Sequence, residues 1–181
     1  MREQHFFTVA ALYNFTHLDD LVNKKSELDA ICEEMQIRGT ILLAEEGVNG
    51  TIAGDLRAIE SIIGHIEAWE EIDRIEVKFS TSQKMNFNRM KVKIKKEIVT
   101  MGKEINVVEN SGQYVKPQDW NALISRDDIL IIDTRNQYET KIGSFQKAID
   151  PQTDNFQQFP KWADDLKQAT NLNTKIAMYC T

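Results

Sequence analysis

Cysteine is nearly absent from this sequence: only Cys32 and Cys180 carry thiols, and they lie far apart in the 181 residues. A disulfide framework is thereby excluded, and each cysteine has to be read as a single thiol. Long hydrophobic runs are missing too. No stretch approaches the roughly 18 apolar residues of a membrane span, and the opening Met1-Arg2-Glu3-Gln4-His5 lacks the apolar core of a secretory signal. A cytoplasmic protein without membrane attachment is expected. The histidines, His5, His17 and His65, are scattered without ligand spacing, and neither a flavin motif nor an iron triad is found, so no metal or organic cofactor is expected. Positive charge is in deficit. The net charge of −6 offers no general attraction to nucleic acid, so an RNA-binding role needs a local basic surface strong enough to act against that background.

What is present is an ordinary core-forming composition, 41% hydrophobic and 28% charged, which argues against disorder. The length suits two small domains of about 90 residues each. Phe6 to Tyr13 reads as a buried strand. Leu18 to Met35 reads as a helix, with Leu18, Leu21, Leu28, Ile31 and Met35 near a 3.6 period and Asp19 and Asp20 at its start. Gly39 to Ala44 and Val48 to Ala53 look like strands joined by Glu45-Glu46-Gly47, a turn whose glycine supplies a positive φ. A helix from Leu56 to Trp69 carries Ile59, Ile62, Ile63, Ile66 and Trp69 on one face, and Ile72 to Phe79 follows as a strand. The order is that of a ferredoxin-like split βαβ sandwich, with Ile31, Ile63 and Ile66 expected against its sheet.

Met90, Val92 and Ile94 alternate with Lys91, Lys93 and Lys95, the pattern of an added strand with one face buried. Pro117-Gln118-Asp119-Trp120 then starts a short helix through Ile124, followed by a strand at Ile129 to Asp133, a helix at Phe159 to Leu166 and a strand at Lys175 to Tyr179. Strands alternating with helices point to a parallel α/β layer. The expected organisation is therefore α+β followed by α/β: a ferredoxin-like domain over residues 1–100, a connection over 101–120 and a second domain over 121–181.

Cys180 follows the apolar strand Ile176-Ala177-Met178-Tyr179, at the carboxyl end where parallel sheets place their ligand crevices. A thiol there ionises readily when the following loop turns its N–H groups toward it. The residue types alone leave open that it is a small apolar residue ending a strand. Arg135, after Ile129 to Asp133, projects from the same edge of the sheet. Either it holds an anionic substrate or it pairs with a neighbouring carboxylate, such as Asp133 or Glu139, to fix its loop. Arg89, Lys91, Lys93 and Lys95, with Lys96 beyond, place alternate cations on one strand face about 7 Å apart. A polyphosphate can track that row, and a solvated edge face gives the same pattern. Tyr114 and Trp120 are read as core or hinge residues with base stacking as the alternative, Cys32 as structural, and Glu45-Glu46-Gly47 as a turn.

Taken together, Asp133-Thr134-Arg135-Asn136-Gln137-Tyr138-Glu139, Ile142-Gly143-Ser144-Phe145, Ala148-Ile149-Asp150-Pro151 and Met178-Tyr179-Cys180-Thr181 resemble the rhodanese homology domain in order and spacing. Upstream, Gly47-Val48-Asn49-Gly50-Thr51-Ile52-Ala53-Gly54, Arg89-Met90-Lys91-Val92-Lys93 and Asp119-Trp120-Asn121-Ala122-Leu123-Ile124 resemble one rhodanese-containing group, the tRNA uridine hydroxylase family, and the similarity spans almost the whole chain. That resemblance implies an amino-terminal acylphosphatase-like, ferredoxin-type domain and a rhodanese-like domain whose loop cysteine, here Cys180, is catalytic. The implied reaction is hydroxylation of the wobble uridine of tRNA to 5-hydroxyuridine, with molecular oxygen as cosubstrate and tRNA as partner. The rhodanese relationship adds a cysteine persulfide.

Two departures stand out. Ser144 occupies the position where common rhodaneses carry histidine after the glycine, which weakens the case for sulfur transfer from thiosulfate. Family members also continue after Cys-Thr with a Gly-Gly-Ile-Arg-Cys loop, a helix and a strand, so the second domain is expected to be incomplete, Cys180 poorly enclosed and the chain itself inactive. A rhodanese-type sulfurtransferase or persulfide carrier is the competing enzyme reading. A non-catalytic RNA- or partner-binding module is the third.

Overall fold

A computed structural model describes residues 6–103, 112–170 and 174–180. His5 and Thr181, named above, lie outside the described residues. The chain divides into two compact units at Val99/Thr100.

In the first unit the elements run β1 (Phe7–Phe15), α1 (Leu21–Glu34), β2 (Arg38–Ala44), β3 (Gly47–Gly54), α2 (Leu56–Glu67), β4 (Glu76–Ser82) and β5 (Met90–Ile94). They form one five-stranded sheet in the order β4-β1-β3-β2-β5. The first four strands are antiparallel neighbours, whereas β5 joins the β2 edge in parallel. This is the split βαβ sandwich with one added strand. Period-2 alternation sends Ala10, Leu12, Ile41, Leu43, Val48, Ile52 and Val92 into a core closed by Leu28 and Cys32 of α1 and by Ile59, Ile62, Ile63 and Ile66 of α2. The β2–β3 turn requires its glycine. Gly47 has φ 141°, and a Cβ there would lie 2.0 Å from the Asn14 carbonyl oxygen.

Three expectations shift. Ile31 is only partly buried, because the buried stripe of α1 passes through Leu28 and Cys32 and leaves Ile31 at its rim. Leu18 is fully buried but precedes the helix, whose N-cap is Asp20 in the left-handed region at φ 51°. Ile72 and Ile75 are core residues without being strand residues. They fill the turn leading into β4, where the Ile72 N–H bonds the Trp69 carbonyl at 3.0 Å, so their apolar character reflects burial, and pairing starts at Glu76.

The second unit contains α3 (Pro117–Ile124), β6 (Ile129–Asp133), a single turn α4 (Gln137–Thr140), a 3-10 turn at Phe156–Gln158, α5 (Phe159–Ala169) and β7 (Lys175–Tyr179). Helix α3 runs across the expected boundary at residue 120; Pro117 in its first turn begins it, as the fixed φ of proline favours. β6 and β7 pair in parallel from Ile129↔Lys175 to Asp133↔Tyr179, and Ile149 adds a parallel bridge on the other side of β6. Ile131, Ile132 and Ala177 are the buried apolar residues of these strands. No helix among the described residues is long and apolar enough to cross a membrane.

Candidate functional site

Because β6 and β7 are parallel and in register, their carboxyl ends emerge together, and the segments that follow are tied at once. The Thr134 N–H and hydroxyl both donate to the Tyr179 carbonyl, at 3.0 and 2.8 Å. Arg135 and Cys180 are thus brought to one place. They line a cavity of about 470 Å³ together with Gly143, Ser144, Phe145 and Tyr179. Cys180 is exposed there.

Arg135, Ser144 and Tyr179 of the cavity wall converge on a buried carboxylate behind them. Asp133 has no solvent exposure and accepts from the Arg135 Nε at 2.9 Å, its Nη2 at 2.6 Å and its backbone N–H at 3.1 Å. Asp133 Oδ2, Ser144 Oγ and Tyr179 Oη also form a triangle with sides of 2.6, 2.7 and 3.0 Å, sharing the two hydroxyl protons. Burial alone would raise the Asp133 carboxyl, but the Arg135 guanidinium, the Tyr179 hydroxyl, the Arg135 N–H and the Ser144 hydroxyl outweigh it and hold the carboxyl down at about 2. Reciprocally, the hydrogen bonds that Arg135 donates to Asp133 keep its guanidinium charged. Arg135 Nη2 also donates to the Gly143 carbonyl at 2.7 Å, so the guanidinium is held rigidly at the cavity wall. Of the two readings of Arg135, the loop-fixing pair is present; its carboxylate is Asp133, while the Glu139 carboxylate accepts from the Asn136 N–H at the start of α4.

Tyr179 was missed as a site residue. Its ring packs against Phe145 and Trp120 at centroid distances of 4.9 and 5.8 Å, and the Arg135 guanidinium lies 5.5 Å from its centroid. Its hydroxyl also accepts from the Phe145 N–H at 3.2 Å. The sequence signal was an aromatic with a polar tip at the last strand position before the cysteine, a place where a hydroxyl usually finds a partner. Ser144, noted above as a departure from the histidine of common rhodaneses, contributes its hydroxyl to the same triangle. Trp120 is half-buried against Phe145 and Tyr179, a packing residue of this unit, whereas Tyr114 is exposed.

The second candidate surface lies on the first unit. Lys91 and Lys93 alternate with Met90 and Val92 on β5, and Arg89 and Lys95 flank it. All four cations are exposed, while Val92 is buried. Asn49 and Glu46 have a structural task. Asn49 Nδ2 donates to the Ile98 carbonyl at 2.9 Å and Glu46 Oε1 accepts from the Ile98 N–H at 2.6 Å, which pins the segment after β5 and buries Ile98. Cys32 is fully buried in the core, and burial followed by the Asp29 charge pushes its thiol up to about 12. Among the described residues, no group of three or more His, Cys, Asp or Glu is placed to hold a metal ion.

Comparison with known proteins adds a separate line of evidence. The profile of a family described as UPF0176 acylphosphatase like domain matches residues 7–98. A protein of Mesorhizobium japonicum named tRNA uridine(34) hydroxylase is 49% identical over 174 residues, which are 96% of this chain and 56% of that protein. Proteins of the same name from Bartonella quintana and Caulobacter vibrioides are 49% and 46% identical over 97% of this chain, covering 58% of each relative. The chain thus spans a little over half the length of the curated relatives it matches. Among solved structures, an acylphosphatase from Coxiella burnetii aligns over 51% of this chain and 100% of its own at 13% identity and a TM-score of 0.37.

Proposed function

Given that the chain belongs to the UPF0176 acylphosphatase-like domain family, we propose that it is part of a cytoplasmic enzyme that hydroxylates the wobble uridine of tRNA to 5-hydroxyuridine. The observation that carries the reading is the meeting of Cys180 and Arg135 in one cavity at the carboxyl ends of parallel strands, in a chain nearly half identical to proteins named tRNA uridine(34) hydroxylase. In this reading the second unit is the beginning of a rhodanese-like domain. Cys180 is its catalytic nucleophile, exposed at the strand end where a substrate reaches it. Arg135, fixed by Asp133 so that its charge cannot swing away, faces the same cavity and favours anionic character in what binds there. Arg89, Lys91, Lys93 and Lys95 contact the phosphates of the tRNA. The added oxygen atom comes from molecular oxygen.

Serine keeps the size of Cys180 but not the reactivity of its sulfur. Cells lacking the gene, complemented with the Cys180→Ser form of the intact protein, should contain no 5-hydroxyuridine in their tRNA, while complementation with wild type restores it. Mass spectrometry of tRNA nucleosides reads the result, and wild-type levels in the serine variant would overturn the assignment.

A further inference from the structure

We infer that the open face of the five-stranded sheet, and not β5 alone, is the track for a single-stranded sugar-phosphate chain of the tRNA, running from an Arg38–Arg89 clamp at one edge to Lys78 at the other. The inference rests on the reading of tRNA as substrate and goes beyond the single row of β5 cations.

The register places these residues. On the face opposite the helices, Lys78 of β4 lies beside Ala11 of β1, Ala11 beside Thr51 of β3, Thr51 beside Thr40 of β2, and Thr40 beside Lys91 of β5. This is one continuous row across the sheet with a lysine at each end and small side chains between them. At about 4.8 Å per strand it spans roughly 19 Å, enough for a few nucleotides. One step beyond the β2–β5 ladder, Arg38 and Arg89 stand side by side, where the Gly39 N–H donates to the Arg89 carbonyl at 3.2 Å. Both also line a cavity of about 550 Å³ whose other walls include Asp29, Cys32 and Glu33 of α1, which puts the pair at the very edge of the sheet, next to that helix.

Charge complementarity identifies the occupant. Several cations elsewhere in this acidic chain are neutralised: Lys24 with Glu71, Lys25 with Asp29, Arg126 with Asp128 and Arg135 with Asp133. Arg38, Lys78, Arg89, Lys91 and Lys93 are exposed, and none has an ion-pair partner among the described residues. Like charges on adjacent strands repel, so setting Arg38 against Arg89 and following with Lys91 costs stability unless a polyanion lies over them. Among the described strand residues of this face the one carboxylate is Glu76, which sits at its end and accepts from the Tyr13 hydroxyl. By the same alternation Phe7, Tyr13 and Phe15 of β1 share this face, at the two ends of that strand. A surface with unpaired cations at both edges holds phosphates, contacts that position a chain without reading its bases.

The test measures binding of wobble-uridine tRNA and of an oligouridylate to the intact protein by fluorescence anisotropy over a range of salt. Arg38→Gln combined with Lys78→Gln should raise Kd about tenfold and lower the slope of log K against log salt by about 0.7 for each lost contact. Arg38→Lys with Lys78→Arg should restore both, and Arg57→Gln with Lys161→Gln, which removes exposed cations from helices, should change neither. Wild-type affinity and slope in the Arg38/Lys78 double variant would overturn the track. Persistence of 5-hydroxyuridine in cells lacking the protein would instead overturn the hydroxylase reading, since the binding slopes are measured independently of it.

Discussion

At the scale of single residues the two cysteines illustrate how position decides chemistry. Cys32 is sealed in the core with its thiol held up at about 12, so near neutral pH it is neither ionised nor accessible. Cys180 is exposed at a strand end. Alkylation of the native protein with iodoacetamide at pH 8 should therefore label Cys180 and leave Cys32 unmodified, which peptide mass spectrometry reads directly. Asp133 is the other decisive residue. Asp133→Asn would leave the Arg135 cation mostly buried without its partner, at a cost of about 3 kcal/mol to the second unit, measurable by denaturant unfolding. The pH dependence follows from the depressed carboxyl. Its contribution to stability is fully present above the ordinary aspartate value of about 4 and is lost as pH falls through about 2. The asparagine variant should lose that acid-dependent component, and an unchanged acid unfolding curve would contradict the network.

At the scale of elements the β2–β3 hairpin is the least forgiving piece. Its turn places Gly47 at φ 141° against the backbone of β1, so Gly47→Ala meets both an unfavourable φ and a main-chain oxygen. A loss of about 3 kcal/mol in the first unit is expected, and an unchanged melting temperature would show that the turn can relax. Elements were read from sequence most closely where periodicity alone decides them: Ile129–Asp133, Lys175–Tyr179 and the alternation through Met90–Ile94 were all legible. Where an apolar residue serves a turn, periodicity misleads. Leu18, Ile72 and Ile75 are buried through loop packing, and a pattern of hydrophobicity records burial without recording hydrogen bonds.

At the scale of the whole molecule, the contiguous core cluster contains only residues of the first unit, while the second closes around Ile131, Ile132, Asp133 and Ala177. Damage to one core should therefore stay local. In hydrogen-exchange measurements Asp133→Asn should deprotect β6 and β7 and leave β1 to β5 as in wild type. Deprotection spreading through both units would show a single cooperative fold.

The amino-acid sequence by itself determined the order of elements, the ferredoxin-like character of the first unit, the isolation of the two thiols and the strand-end position of Cys180, because each follows from local periodicity and turn chemistry. Only the tertiary structure decided what those residues face. The partner of Arg135 is chosen by the packing of Asp133, Ser144 and Tyr179, which come from three separate segments. The neighbours of Lys91 and Arg89 are chosen by which strand β5 joins and in which register. A single chain records alternation along a strand; it does not record what lies beside the strand, since pairing depends on loop closure and on the fit of side chains distant in sequence.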